Sequence, residues 1–268
     1  MTRTMVRGVE LDYGRSGDDG PDVVWGHGLS SNQQSEDGFG LLDFGRLAEA
    51  CRLLRYDARG HGASGFTAEP TAYSWAELGR DQLALTEQLG IGRYVAAGAS
   101  MGCGTALHAA ILAPERIQAL VLVIPPTAWE TRAERVEVWE QVAQVIEAKG
   151  TEGFIAGMAA MPKPDPLAGR PEWDDNMAAN ARRTDPVRLA GLFRGAGHAD
   201  LPARDAVATI SVPVLILAWT GDPGHPQSTA EQLAELAPQA QLHLASTWDE
   251  LQAWTDHTLA FLAALPAT

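Results

Sequence analysis

At 268 residues and 46% apolar composition, the chain suits one sizeable α/β domain, or a core with an insertion. Its 34 acidic against 20 basic residues give a formal net charge of −14, a surface that repels phosphate backbones and excludes nucleic acid as an expected partner. No apolar run approaches the ~20 residues that cross a bilayer, and residues 1–10 lack the apolar stretch of a secretory signal, so a cytoplasmic protein with no membrane partner is expected.

Taken in order, Val6 to Tyr13 reads as a short hairpin at a sheet edge, turning near Arg7-Gly8. Asp18-Asp19-Gly20-Pro21 is a turn signal, and Asp22-Val23-Val24-Trp25 is a buried strand that runs into the loop Gly26-His27-Gly28-Leu29-Ser30-Ser31. Leu41 to Ala50 predicts a helix and Arg52 to Tyr56 the next strand; Asp57-Ala58-Arg59-Gly60-His61-Gly62-Ala63-Ser64-Gly65 follows. Cys51 and Cys103 fall in different predicted elements, and two cysteines make neither a disulfide framework nor a zinc site. Ser74 to Leu89 has apolar residues at helical spacing, with Ser74 as N-cap and Gly90 just past the end.

Arg93 to Gly98 is the next strand and Met101 to Leu112 the next helix. Between them stands Gly98-Ala99-Ser100-Met101-Gly102, a strand, tight turn and helix with serine at the apex. That context reads as a nucleophile elbow, in which flanking glycines let the backbone pack closely around a strained serine. The competing reading is a glycine-rich turn whose serine only caps the helix. Ile117 to Ile124 is another apolar run, as expected of a parallel strand covered on both faces.

Composition changes at Pro125-Pro126. From Thr127 to Arg204 helix-like stretches occur without strand patterning, carrying apolar residues that include Trp129, Trp139, Phe154, Trp173, Met177 and Phe193. Val212 to Ala218 is the seventh strand, ending in Trp219-Thr220-Gly221-Asp222-Pro223-Gly224-His225-Pro226. Ser228 to Leu236 predicts a helix, Gln241 to Ala245 the eighth strand, and Leu251 to Ala264 the closing helix. No metal-ligand spacing, phosphate loop or dinucleotide fingerprint occurs, so no cofactor or metal is expected.

From about Val23 to Leu262 the chain resembles the α/β-hydrolase superfamily, on the strength of Asp57-x-Arg59-Gly60-His61-Gly62-x-Ser64 together with the Ser100 pentapeptide. The resemblance implies a mostly parallel eight-stranded sheet with helices on both faces, built from residues 1–126 and 205–268. It also implies a helical lid over residues 127–204, whose apolar residues would roof the active site. Ser100 would be the nucleophile, the Met101 and Leu29 amides the oxyanion hole, and Asp222 the triad acid. His27 and His61 would be scaffold. The implied activity is hydrolysis of a small, largely apolar carboxylic ester or lactone.

The chain departs from the family at one point. The triad histidine belongs in a loop after the eighth strand, and here that loop is Ser246-Thr247-Trp248-Asp249-Glu250. Serine attack on a carbonyl needs a base for the hydroxyl proton. His108 has a helix-packing explanation, His257 lies too far along the closing helix, and His243 lies inside a strand. His225, three residues past Asp222, and His198, at the end of the helical stretch, remain as candidates for a relocated base. The alternative is a non-hydrolytic protein of this fold, a ligand-binding protein, lyase or cyclase.

Overall fold

The computed structural model describes residues 2–266; residues 1, 267 and 268, at the outer ends of the expected core segments, lie outside the described residues. The strands are β1 (Thr2–Val6), β2 (Val9–Ser16), β3 (Asp22–Gly26), β4 (Arg52–Tyr56), β5 (Tyr94–Ala99), β6 (Ile117–Val123), β7 (Val214–Trp219) and β8 (Ala240–Ala245). They form one sheet in the order β1-β2-β4-β3-β5-β6-β7-β8. The pairs from β4 through β8 are parallel, while β1 and β2 make an antiparallel hairpin at one edge, with β2 antiparallel to β4. The eight-stranded, mostly parallel α/β-hydrolase sheet expected from the sequence is the one observed.

The helices are α1 (Ser35–Phe39), α2 (Phe44–Ala48), α3 (Trp75–Gln88), α4 (Met101–Leu112), α5 (Glu130–Ala159), α6 (Pro171–Arg183), α7 (Pro186–Gly197), α8 (Arg204–Val207), α9 (Gln227–Leu236), α10 (Trp248–Gln252) and α11 (Trp254–Ala263). The side-chain alternation of a strand sends Val24, Tyr94, Ala96 and Ile216 to the face packed by α3, α4 and α9. Trp25, Val95, Ala97 and Leu217 go to the other face, against α2, α10 and α11. With both faces covered, the central strands are continuous apolar runs rather than alternating ones.

Two helix boundaries differ from expectation. The helix expected over Leu41 to Ala50 is only α2, which starts late because the Asp43 carboxylate caps it by accepting from Arg46 N at 3.0 Å, and α1, ended by Gly40 in the left-handed region (φ +64), precedes it unanticipated. The closing helix is divided at Ala253, and its first piece starts earlier than expected, at a capping box made by Thr247 and Glu250.

The order of the central strands positions the site. β3 lies between β4 and β5, so the chain leaves β3 toward one side and later crosses to the other. Gly26 and Gly98 are register partners at the carboxyl ends of β3 and β5. Such a switch point opens a crevice beyond the strand ends. Over it sits the helical segment α5–α7, with α5 bent at Gly150 (φ +67). This segment has its own small core of Ala143, Ile146, Phe154, Ala181, Leu189 and Phe193.

Candidate active site

The first part of the site is the turn after β5. Ser100 has φ +50 and ψ −107, a strained conformation for a residue with a side chain. It is fixed from both sides: Ser100 N donates to Val123 O at 2.9 Å, and Cys103 N donates to Ser100 O at 2.9 Å. The flanking glycines are sterically required. A Cβ on Gly98 would lie 2.6 Å from Gly26 O, and one on Gly102 would lie 2.0 Å from the same atom. Cys103, buried behind the turn, donates its thiol toward Gly98 O and Val123 O, and burial raises its pKa. This thiol is structural.

The second part is the loop after β3. Gly28, Leu29 and Ser30 line the same cavity as Ser100. The buried His27 ring braces the loop: its Nδ1 lies 2.8 Å from Gly28 O, and its Nε2 accepts from Ala58 N at 2.9 Å. Glu36, also buried, accepts from Ser31 Oγ at 2.7 Å and from Trp25 Nε1 at 3.2 Å. Among the described residues, neither the Leu29 nor the Met101 N–H donates to a protein acceptor. His61 packs edge-on against His27, with Nδ1 2.9 Å from Arg59 O, and burial followed by the neighbouring His27 holds its pKa well below the usual value.

The third part is the loop after β7, where Asp222 and His225 meet. His225 Nδ1 is 2.7 Å from Asp222 Oδ2, and its Nε2 is 2.8 Å from Ser100 Oγ. A carboxylate can only accept, so Nδ1 carries the proton and Nε2 is left free to accept from the Ser100 hydroxyl. The Asp222 carboxylate also accepts from Gly224 N at 2.7 Å and from Trp219 Nε1 at 3.0 Å. Burial pushes its pKa up, but the charge of His225 and these hydrogen bonds outweigh burial and leave it lowered to about 2.

The other histidines stay away from the serine. His198 is exposed at the end of α7 and does not line the cavity. His108 Nε2 lies 2.9 Å from Asp200 O, a packing contact on α4. His243 and His257 stack on each other, with ring centroids 3.8 Å apart. Residues 246–250 do not line the cavity; Glu250 is spent capping Ser246 N and Thr247 N.

The cavity above Ser100 holds about 500 Å3. Its roof is apolar, with Trp139, Phe154, Met158, Trp173, Met177 and Phe193 facing in from α5–α7. Trp129, also expected there, is turned away: its Nε1 donates to Pro202 O at 3.0 Å and Arg204 lies over its ring. Among the lining residues that the sequence did not point to are Trp219, Glu36 and Arg132. Trp219 orients Asp222 and could have been suspected from its place on the strand leading to that loop. Glu36 and Arg132 gave no such signal. Arg132 is buried, holds Ala199 O at 2.6 Å and Ala196 O at the end of α7, and is lowered by burial to about 10. Among the described residues no cluster of three or more His, Cys, Asp or Glu could hold a metal ion.

A sequence model of the alpha/beta hydrolase fold matches residues 44–256. The chain is similar to 3-oxoadipate enol-lactonase 2 of Acinetobacter baylyi, at 28% identity over 222 residues, spanning 80% of this chain and 77% of that protein. It is also similar to a pimeloyl-acyl-carrier-protein methyl ester esterase of Nitrosomonas europaea, at 35% identity over 115 residues, 43% of this chain and 41% of the relative. A crystal structure of a hydrolase from Pseudomonas aeruginosa superposes with a TM-score of 0.83 at 28% identity, covering 98% of each chain.

Proposed function

The chain belongs to the α/β-hydrolase family, and from that membership we propose that it is a serine hydrolase of small, largely apolar carboxylic esters or lactones, working through an acyl-enzyme. The observation that carries this reading is the unbroken line from Ser100 Oγ to His225 Nε2 at 2.8 Å and from His225 Nδ1 to Asp222 Oδ2 at 2.7 Å. Relatives named for enol-lactone and methyl ester cleavage support the substrate class.

In the proposed reaction, Ser100 Oγ attacks the carbonyl carbon while its proton passes to His225 Nε2. The tetrahedral oxyanion accepts from the Leu29 and Met101 N–H groups, which lack protein acceptors. Asp222, ionised down to a pH of about 2, fixes the ring and stabilises the imidazolium. The C–O bond then breaks and the alkoxide takes the proton from Nε2; in a lactone it remains tethered to the acyl group. Water repeats the sequence against the acyl-enzyme, releasing the acid and restoring Ser100. The segment α5–α7 serves as a lid that keeps this chemistry under an apolar roof.

The non-hydrolytic alternative rests on the absence of histidine after the eighth strand, and His225 within hydrogen-bonding distance of Ser100 speaks against it. Labelling with a fluorophosphonate and assay on p-nitrophenyl butyrate separate the two readings. Ser100 is expected to label, and Ser100→Ala to abolish both labelling and turnover. An unlabelled parent protein without activity on esters or lactones would favour the non-hydrolytic reading.

A further inference from the structure

The loop that carries the Leu29 amide is held from above by the helical segment, through a residue that does not itself face the cavity. Asn180, on α6, is 3% exposed. Its Nδ2 donates to Ser30 O at 2.5 Å, and its Oδ1 accepts from Asn32 Nδ2 at 2.6 Å. A carbonyl can only accept, so the amide's orientation is fixed by Ser30. Asn176, four residues earlier on α6, adds a bond from Nδ2 to Ser35 O at 3.0 Å. A second contact points the same way: the Leu29 side chain packs against the core of the helical segment, which contains Ala181, the residue after Asn180.

The residue between the proposed oxyanion donor and these bonds is itself strained. Ser30 has φ +58, a conformation that a non-glycine residue keeps only when its surroundings enforce it. Glu36 secures the loop from below through Ser31, but the Ser30 carbonyl is held by Asn180. Ser31 N closes the turn onto Gly28 O at 3.1 Å, so loss of the Asn180 bond releases the Ser30–Ser31 peptide, and Ser30 relaxing from φ +58 then redirects the Leu29 N–H. Trp173 and Met177, seven and three residues before Asn180 and so on the same stripe of α6, line the cavity wall, so the helix that would meet the substrate is the helix that holds the loop.

We propose that Asn180 is a positioning residue for the oxyanion site: it transmits the seating of α6 over the cavity to the direction of the Leu29 amide. The proposal rests on the acyl-transfer reading above. It requires that loss of Asn180 weaken the transition state and spare ground-state binding, because Asn180 does not line the cavity.

The test compares Asn180→Ala and the near-isosteric Asn180→Asp, which sets a carboxylate oxygen against Ser30 O, with Arg182→Ala. Arg182 lies on the same helix in an exposed pair with Glu152. Turnover of p-nitrophenyl butyrate and inhibition by butylboronic acid, whose adduct on Ser100 is tetrahedral, are measured on folded protein. Removing an oxyanion donor outright costs about 10²–10³ in kcat, so misaiming one is expected to lower kcat roughly tenfold or more, with KM within about twofold. Boronate affinity should fall by the same factor, and Arg182→Ala should match the parent. Either Asn180 variant, folded, with parental kcat and boronate affinity overturns the proposal, as does a raised KM at unchanged kcat. A parent protein inactive on esters and unlabelled at Ser100 removes the hydrolase reading itself, and the proposal with it.

Discussion

Asp222 and His225 stand three residues apart on one loop, so a single turn, closed by Gly224 N onto Asp222 Oδ1, sets both the proposed acid and the proposed base. Asp222 is half-buried and its carboxylate takes bonds from His225, Gly224 N and Trp219 Nε1. Its lowered pKa makes a stability prediction. A group whose folded pKa, about 2, lies below its ordinary 3.8 contributes stability that is complete above pH 4 and is lost as pH falls through that window. The shift is worth about 2 kcal/mol at neutral pH. Asp222→Asn should therefore be less stable than the parent by about that much at pH 6, with the gap narrowed by roughly half at pH 3, as read from urea unfolding. A gap that widens on acidification contradicts the assignment of charge to this pair.

At the scale of elements, the turn after β5 depends on the close approach of α4 to β3. Gly102→Ala places a methyl 2.0 Å from Gly26 O, a backbone atom that cannot step aside. Overpacking of this kind costs typically about 1–3 kcal/mol, so a clear fall in melting temperature is expected, with activity lost through displacement of Ser100. These parts were legible in the sequence because their signals are local. Buried parallel strands are continuous apolar runs, and the glycines beside Ser100 mark where backbones touch. The bounds of the helix at 41–50 were less legible, since apolar spacing alone did not register the start at Asp43 or the separate turn of helix that Gly40 ends. Asn180 was invisible for a different reason: its partner Ser30 lies 150 positions away, and nothing in local spacing joins them. His225 and His198 could not be separated by sequence, because reach depends on loop backbone and not on residue type.

For the molecule as a whole, an apolar cavity of about 500 Å3 beneath α5–α7 limits what reaches Ser100. This is within the size range of small-ligand pockets, about 300–1,000 Å3. Turnover of p-nitrophenyl esters should rise from acetate to butyrate or hexanoate and collapse for palmitate; undiminished activity on palmitate would mean that α5–α7 swing clear. Three loops, after β3, β5 and β7, converge at this cavity, and the central claim is that the last of them supplies the base. The direct measurement is turnover of p-nitrophenyl butyrate by His225→Ala beside His198→Ala, His243→Ala and His257→Ala, each verified as folded. General-base assistance is worth about 10²–10⁴-fold, so His225→Ala should lose that much while the other three stay near the parent. A dominant loss at His198, or a His225→Ala protein that keeps Ser100-dependent turnover near the parental rate, would contradict it.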